Sequence, residues 1–133
     1  MSSISLSSYL EEICYTLSIA YNIEDKIKFN LTIQEVSLNL ERTVPFGLIL
    51  NELLVNAIKY AYPNRTGSID IEITEVDKCV KIVVTDYGVG FDLNIQGDSL
   101  GNELVEALID QLDGELNIIS NNKGTICTIL FKS

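Results

Sequence analysis

The sequence contains no histidine, and this absence narrows the chemistry that is open to it. Without imidazole the chain cannot hold a Ser-His-Asp triad, a histidine metal ligand or an imidazole general base. Positive charge is also scarce, because nine lysines and arginines stand against nineteen acidic residues and leave a formal charge of −10. Nucleic-acid phosphates require basic surfaces, so this charge argues against a nucleic-acid partner.

Cysteine is rare, and Cys14, Cys79 and Cys127 lie far apart in the chain. Their odd number and wide spacing predict reduced core thiols of a cytosolic protein rather than a disulfide framework or a zinc site. No apolar run approaches the roughly 20 residues that a membrane span needs, and the first residues do not resemble a signal peptide. We therefore expect a cytoplasmic domain without direct membrane insertion, whose parent protein is either soluble or membrane-anchored.

Apolar residues, by contrast, are plentiful: 47% of the 133 residues are hydrophobic, enough for one core and one domain over residues 1–133. Helical spacing of apolar residues predicts helices at 6–21, 44–62 and 99–112. Alternation and β-branched runs predict strands at 27–33, 36–40, 69–74, 79–85, 115–120 and 125–131. This order predicts an α/β fold, a two-layer sandwich with helices on one face of a mixed sheet.

Three polar side chains share one side of the predicted helix at 44–62. At ~100° per residue, Asn56 lies about 40° and Lys59 about 20° from Glu52 around the helix axis. The other side is apolar and carries Leu50, Leu53, Leu54, Ala57, Ile58 and Ala61. A carboxylate, an amide oxygen and an ammonium group together suit a hydrated Mg²⁺ and the polyphosphate that it carries. An amphipathic helix with a short solvated stripe gives the same pattern, so this segment alone leaves both explanations open.

A second motif lies further along the chain, where a β-branched run ends in Asp86-x-Gly88-x-Gly90. The run predicts a strand, and the two glycines allow close approach of the backbone to a ligand. At the end of a buried strand, Asp86 can accept a hydrogen bond from an exocyclic amine. Alone this motif more often marks a simple turn after a strand, but its position after the polar helix favours a binding site.

Two shorter motifs follow in order. Ser99 is a candidate N-cap of the third helix with Gly101 in the first turn, and free backbone N–H groups there favour an anion such as phosphate. Gly124-Thr125 leads into the last predicted strand and places a hydroxyl at the start of that strand. On its own this pair is more typical of an ordinary hairpin turn.

Taken together, the four motifs make the sequence similar to the ATP-binding catalytic domain of two-component sensor histidine kinases. That domain belongs to the superfamily that includes gyrase, Hsp90 and MutL. The helix resembles the asparagine box of the family, and Asp86–Gly90, Ser99–Val105 and Gly124-Thr125 resemble its successive glycine boxes. The sequence of residues 45–53 most resembles that of the subgroup with a short nucleotide lid. The resemblance implies the Bergerat-type fold, with a mixed, mostly antiparallel sheet.

The resemblance also implies a site for ATP and Mg²⁺. Asn56 would ligate Mg²⁺, and Asp86 would accept a hydrogen bond from the adenine amino group. Lys59 would meet phosphate, Glu52 would polarise the attacking imidazole, and Thr125 would support Asp86 through a water molecule. The other expected nucleotide contacts are Tyr60, Gly88, Gly90, Ser99, Leu100 and Gly101.

Two departures from the family pattern concern the phosphate side of that site. The second glycine box has a single glycine, Gly101, and Asn102 stands where a leucine or methionine is usual. Only seven residues separate Phe91 from Ser99, so the lid is short. Shielding of the phosphates would then depend on the surface of a partner.

The function implied by the resemblance is transfer of the γ-phosphate of ATP to a histidine. Since this chain has none, the acceptor would lie on a separate phosphoacceptor and dimerisation domain, for relay to the receiver domain of a response regulator. Two other functions stay open. The domain could resemble anti-sigma-factor kinases, which bind a partner and phosphorylate a serine, or it could bind nucleotide without transferring phosphate.

Overall fold

The computed structural model of the chain describes residues 3–61, 66–89 and 100–132. The α-helices in these ranges are α1 (Leu6–Ala20), α2 (Leu40–Asn56) and α3 (Leu100–Gln111). The strands are β1 (Ser3–Ser5), β2 (Ile27–Ile33), β3 (Ser37–Asn39), β4 (Gly67–Val76), β5 (Cys79–Asp86), β6 (Glu115–Asn121) and β7 (Gly124–Lys132). Of the helices in the described ranges, none is long and apolar enough to cross a bilayer.

Five strands form the main sheet, in the order β2-β4-β5-β7-β6. Only β2 and β4 run parallel, and the other neighbouring strands are antiparallel. A parallel pair needs a crossover connection, and the segment that contains β3 and α2 supplies it. The sheet is therefore mixed and mostly antiparallel, as predicted.

Strand β4 shows how the sheet divides a core from a solvated face. Ile69, Ile71 and Ile73 are buried in a core that also contains residues of all three α-helices. Asp70 and Glu72 alternate with them and point to the opposite face, because successive side chains of a strand point to opposite sides. The helices cover one face of the sheet, which confirms the predicted α/β sandwich.

Helix α2 begins before its predicted start near Val44. The side chain of Asn39 caps it, with Oδ1 accepting from the N–H of Arg42 at 3.0 Å, while the carbonyl of Asn39 accepts from Oγ1 of Thr43 at 2.7 Å. Pro45 therefore lies inside the helix, where it removes one backbone hydrogen bond. The predicted start was wrong because this cap stabilises a full turn before the proline.

The strand predicted at 36–40 is much shorter in the structure. Only β3 (Ser37–Asn39) forms, and it pairs with β1 (Ser3–Ser5) in a separate two-stranded sheet. Strand β1 was not predicted, because three residues are too few to show an alternating pattern.

Helix α2 ends at Asn56, and Ala57–Ala61 form a π-helical turn. The apolar pattern had predicted that the α-helix continues through this segment. Because a π-helix closes its hydrogen bonds from i to i+5, residues after Asn56 are displaced from the angles calculated at 100° per residue. The predicted angle of Lys59 is therefore wrong. Single π-helical turns within α-helices are frequent at functional sites.

Candidate nucleotide site

Asp86 is the last residue of β5, and it lies on the core side of the sheet. The alternate residues of the same strand are buried: Val80, Ile82 and Val84. The side chain of Asp86 continues this alternation and therefore points toward the core. Only 7% of its surface is exposed. A carboxylate in such a position is costly unless hydrogen bonds compensate for its lost hydration.

Two backbone N–H groups hold the Asp86 carboxylate. The N–H of Gly88 donates to Oδ1 at 3.1 Å, and the N–H of Thr125 donates to the same oxygen at 3.2 Å. Among the residues that the structure describes, neither hydrogen bond of this carboxylate uses Oδ2. Within the described residues, the carboxylate is therefore held through one oxygen, Oδ1.

The environment of Asp86 also changes its titration. Burial raises the pKa of Asp86, and the hydrogen bonds from Gly88 and Thr125 oppose this effect. Its neighbour Cys127 is affected in turn, since burial and then the charge of Asp86 raise the pKa of that thiol to about 12. Cys127 is thus a protonated, inert core thiol at neutral pH.

Gly124 allows the start of β7 to lie directly against Asp86. Its φ is +136°, and a Cβ at this position would lie 2.1 Å from the carbonyl oxygen of Asp86. Any side chain would therefore push β7 away from the end of β5. Glycine here keeps Thr125 paired with Asp86 in the sheet.

Thr125 contacts Asp86 directly, through a hydrogen bond from its backbone N–H. The expected support of Asp86 by Thr125 through a water molecule stays a prediction. The hydroxyl of Thr125 pairs with Oγ of Ser120 on β6, at 2.7 Å. Thr125 is only 3% exposed, and its backbone N–H and its hydroxyl connect β7 to β5 and to β6 at the site.

The loop that follows Asp86 is tied to the outer face of the sheet by residues that the sequence analysis missed. The hydroxyl of Tyr87 donates to Asp70 on β4, which also accepts from Nδ2 of Asn30 on β2 at 2.8 Å. The hydrogen bonds from Tyr87 and then Asn30 lower the pKa of Asp70. Only the strand register brings these side chains together, so spacing along the sequence gave no signal for them.

The polar residues predicted for the site on α2 and the π-helical turn after it are less buried than the described apolar residues on the opposite side. Glu52 and Asn56 are half-buried, and Lys59 is exposed on the π-helical turn. The apolar residues predicted for the opposite side are buried wherever the structure describes their side chains: Leu50, Leu53, Leu54, Ala57 and Ile58. Within the described residues, no hydrogen bond connects Glu52, Asn56 or Lys59 to Asp86.

The donor set for a metal ion is consistent with Mg²⁺ held jointly with phosphate. In the part of the chain that the structure describes, no group of three or more Cys, Asp or Glu side chains could enclose a metal ion. Mg²⁺ usually binds through one or two protein ligands plus substrate phosphates and water, not through a protein cage. The half-buried amide of Asn56 fits such a role.

The remaining predicted contacts lie at the edge of the described structure. Gly90 and Ser99 fall outside the described residues. Tyr60 belongs to the π-helical turn, and Leu100 and Gly101 form the start of α3. Their roles toward nucleotide stay predictions.

The sequence also matches a known family. The pattern of the histidine kinase-, DNA gyrase B- and HSP90-like ATPases matches residues 41–133, more than half of the chain. The chain belongs to this ATPase family. The resemblance recognised from the four motifs is therefore confirmed.

The relatives of this ATPase domain include sensor kinases. The chain is 28% identical over 134 residues to blue-light-activated histidine kinase 2 of Erythrobacter litoralis, covering 95% of this chain and 38% of that protein. It is 26% identical over 122 residues to sensor histidine kinase PdtaS of Mycolicibacterium smegmatis, covering 86% and 24%. The chain thus spans less than two fifths of the length of these relatives.

Solved structures share the fold. The histidine kinase domain of the blue-light-activated kinase EL346 of Erythrobacter litoralis superimposes with a TM-score of 0.87 at 26% identity, covering 96% of this chain and 65% of that one. The catalytic domain of histidine kinase ThkA gives 0.80 at 17% identity, with coverage of 98% and 94%. Full-length ShkA in complex with AMPPNP gives 0.76 at 17% identity, with coverage of 98% and 30%. These likenesses confirm the predicted fold class.

Proposed function

We propose that this ATPase-family domain binds Mg-ATP and transfers the γ-phosphate to a histidine on a separate helical domain. The observation that carries the proposal is the Asp86 carboxylate, which is buried and, within the described residues, held through Oδ1 alone. Oδ2 would then accept a hydrogen bond from the nucleotide. The names of its relatives, which are sensor histidine kinases, support transfer to histidine. On this basis the further partner is the receiver domain of a response regulator, and the compartment is the cytoplasm.

Asp86 would select adenine by hydrogen-bond polarity. A carboxylate accepts from the exocyclic amine of adenine but meets a second acceptor, the carbonyl oxygen, at the equivalent position of guanine. Since the site is buried, an unmatched pair of acceptors there is costly. The domain should therefore discriminate strongly between ATP and GTP.

Helix α2 and the π-helical turn after it would bind the phosphate groups of the nucleotide. The amide oxygen of Asn56 would bind Mg²⁺, and the exposed ammonium group of Lys59 would neutralise phosphate charge. When bound, Mg²⁺ would supply charge stabilisation at the transferring phosphoryl group. The short lid and single glycine of the second glycine box leave more of this task to these side chains and to the partner.

Glu52 would act on the acceptor. It lies one helical turn before Asn56, so its carboxylate is close to the metal ligand without being needed for nucleotide binding. An oxygen of Glu52 would accept the N–H of the incoming imidazole and hold that ring for attack on phosphorus. The chain contains no histidine, so the acceptor must come from elsewhere.

Calorimetric titration of the domain with Mg-ATP and Mg-GTP tests the proposal. We expect a clear preference for ATP that Asp86→Asn removes, because the amide of asparagine can present a donor toward the adenine amine. Equal affinity for both nucleotides would show that Asp86 does not read the base. With γ-labelled ATP the domain alone should stay unlabelled, and label should enter a histidine-bearing helical domain supplied in trans. Acid-stable label on a serine of a partner would instead support the serine kinase alternative.

A further inference from the structure

Three large apolar side chains form an exposed row on α2. Leu40, Val44 and Leu48 are 55%, 51% and 49% exposed. They are spaced four residues apart, so they lie on one ridge of the helix surface. Single exposed apolar residues are common, but a continuous row of this kind marks a contact surface that another element covers.

The ridge leads directly to the carboxylate that the proposed function assigns to the acceptor. Glu52 occupies the next position in the four-residue series after Leu48. With a rise of about 1.5 Å per residue, Glu52 lies roughly 18 Å along the helix from Leu40. The row itself, from Leu40 to Leu48, covers about two helical turns and ends one turn before Glu52.

We propose that the ridge of Leu40, Val44 and Leu48 is the docking surface for a helix of the histidine-bearing domain, whose histidine then lies beside Glu52. This inference rests on the proposed function. A ridge of side chains four residues apart packs into the groove between equivalent ridges of a second helix. The shape of the surface thus favours a helical occupant over an extended peptide.

Charge indicates the chemistry of that helix. Glu41 is exposed, adjoins Leu40 and lies three residues before Val44, while Glu52 closes the far end of the ridge. An apolar seam bordered by lysine or arginine would complement both carboxylates, and the whole chain carries a formal charge of −10. A second copy of the same ridge would bring like charges together, so the occupant is a different, basic-flanked helix.

Helix α1 offers a matched control surface. Tyr15 and Ile19 are 66% and 50% exposed and also lie four residues apart. Position 23, the next in that series, is the buried Ile23 beyond the end of the helix. The α1 pair therefore shares exposure and spacing with the ridge, and the carboxylate in its series, Glu11, has no role assigned toward the acceptor.

The test compares Val44→Gln/Leu48→Gln with the control Tyr15→Gln/Ile19→Gln. Glutamine keeps helix propensity while removing the apolar contact. The acceptor is a separately expressed histidine-bearing helical domain that the wild-type chain labels from γ-labelled Mg-ATP. We expect the ridge variant to raise the KM for this acceptor by about 10-fold, the effect of losing a central interface contact. Its ATP affinity, melting temperature and kcat at saturating acceptor should match those of the wild type.

Four outcomes overturn the inference. An unchanged acceptor KM in the ridge variant, or an equal rise in the α1 control, would mean that the ridge is not the docking surface. Sedimentation that shows wild-type dimers and monomeric ridge variants would assign the ridge to contacts between copies. If the wild-type chain binds ATP but labels no histidine-bearing domain, the proposed function itself fails and the inference fails with it.

Glu41→Lys gives an independent test of the charge argument. The variant should also raise the acceptor KM, and added salt should reduce the difference from wild type, because exposed charges are screened. A KM that is unaffected by Glu41→Lys at low salt would contradict a basic-flanked partner helix.

Discussion

The backbone N–H of Thr125 donates a hydrogen bond to Oδ1 of Asp86, which lies 39 residues earlier in the chain. This bond joins the end of β5 to the start of β7 at the point where the two strands begin their antiparallel pairing. The N–H of Gly88 donates to the same oxygen from the loop. The carboxylate orientation thus depends on two separate segments of backbone.

Gly124→Ala tests how tightly β7 must approach Asp86. The added Cβ would lie 2.1 Å from the carbonyl oxygen of Asp86, at a φ of +136° that alanine rarely adopts. We expect the free energy of unfolding to fall by about 2–4 kcal/mol, the combined scale of overpacking and backbone strain. Urea denaturation measures this loss, and ATP binding should weaken with it. The exposed turn variant Asn122→Ala should change stability by less than about 0.5 kcal/mol.

The pH dependence of stability tests the burial of Asp86. Burial raises its folded-state pKa above the ordinary value of 3.8. The folded state therefore binds this proton more tightly than the unfolded state, and the group lowers stability as pH rises from below 3.8 through the raised pKa. Asp86→Asn keeps an oxygen for both N–H donors but cannot ionise.

Relative to wild type, the Asp86→Asn variant should therefore gain stability as the pH rises from acid toward neutrality. Urea denaturation of both proteins over a series of pH values measures the difference. A difference that is constant with pH would contradict the assignment of a raised pKa to Asp86. The same variant should lose adenine-selective binding, so stability and function should change in opposite directions.

Tyr87→Phe tests whether the link to Asp70 positions the loop after β5. The variant removes the hydroxyl that donates to Asp70 and leaves the ring. Because Tyr87 is 57% exposed, we expect a stability loss of about 1 kcal/mol or less. ATP affinity should fall several-fold, since the loop that carries Gly88 would be held less firmly and the N–H of Gly88 donates to Asp86.

A double-mutant cycle with Asp70→Asn separates this link from general loosening of the loop. If Tyr87 and Asp70 act together, the two substitutions combined should cost less ATP affinity than the sum of their separate effects. Strict additivity would show that the link does not act on the site. Tyr15→Phe, on the exposed side of α1, serves as the control for the loss of a tyrosine hydroxyl.

Asn56→Ala and Glu52→Gln separate nucleotide binding from transfer. Loss of the Asn56 oxygen should abolish Mg-dependent ATP binding and transfer together. Glu52→Gln should keep near-normal ATP affinity while transfer to the histidine domain falls by roughly 10²–10⁴-fold, the usual contribution of a general base. Calorimetry and labelled-ATP transfer measure the two effects. If Asn56→Ala binds Mg-ATP normally, or Glu52→Gln transfers at the wild-type rate, the role assigned to that residue is wrong.

The strands around the site were predictable because their local pattern and their tertiary environment agree. The alternating pattern of β4 and the β-branched run of β5 predicted these two strands. Strand β5 ends at Asp86, as predicted. The chain turns between the two strands at Asp77 and Lys78, which both adopt positive φ values. Buried apolar faces fix such segments strongly, so the sequence carries the information directly.

The contact of Tyr87 with Asp70 was not predictable, because it depends on the register of β4 and β5, which spacing along the sequence does not reveal.

Two local features were also missed. The Asn39 cap was missed because Asn39 lies at the end of an alternating segment that was assigned to a strand. The π-helical turn after Asn56 arises in a segment whose apolar pattern is equally compatible with an α-helix.

The position of β7 has a consequence for the order in which the protein can assemble. It is the last described strand along the chain, yet it lies between β5 and β6 in the sheet. As the chain leaves the ribosome, β5 therefore has one unpaired edge until β7 emerges, and Asp86 lacks the N–H of Thr125 for the same interval. Affinity for adenine should arise late and in a single step. Nucleotide in the cell would then stabilise only chains that have inserted β7, and incomplete chains would remain open to proteolysis.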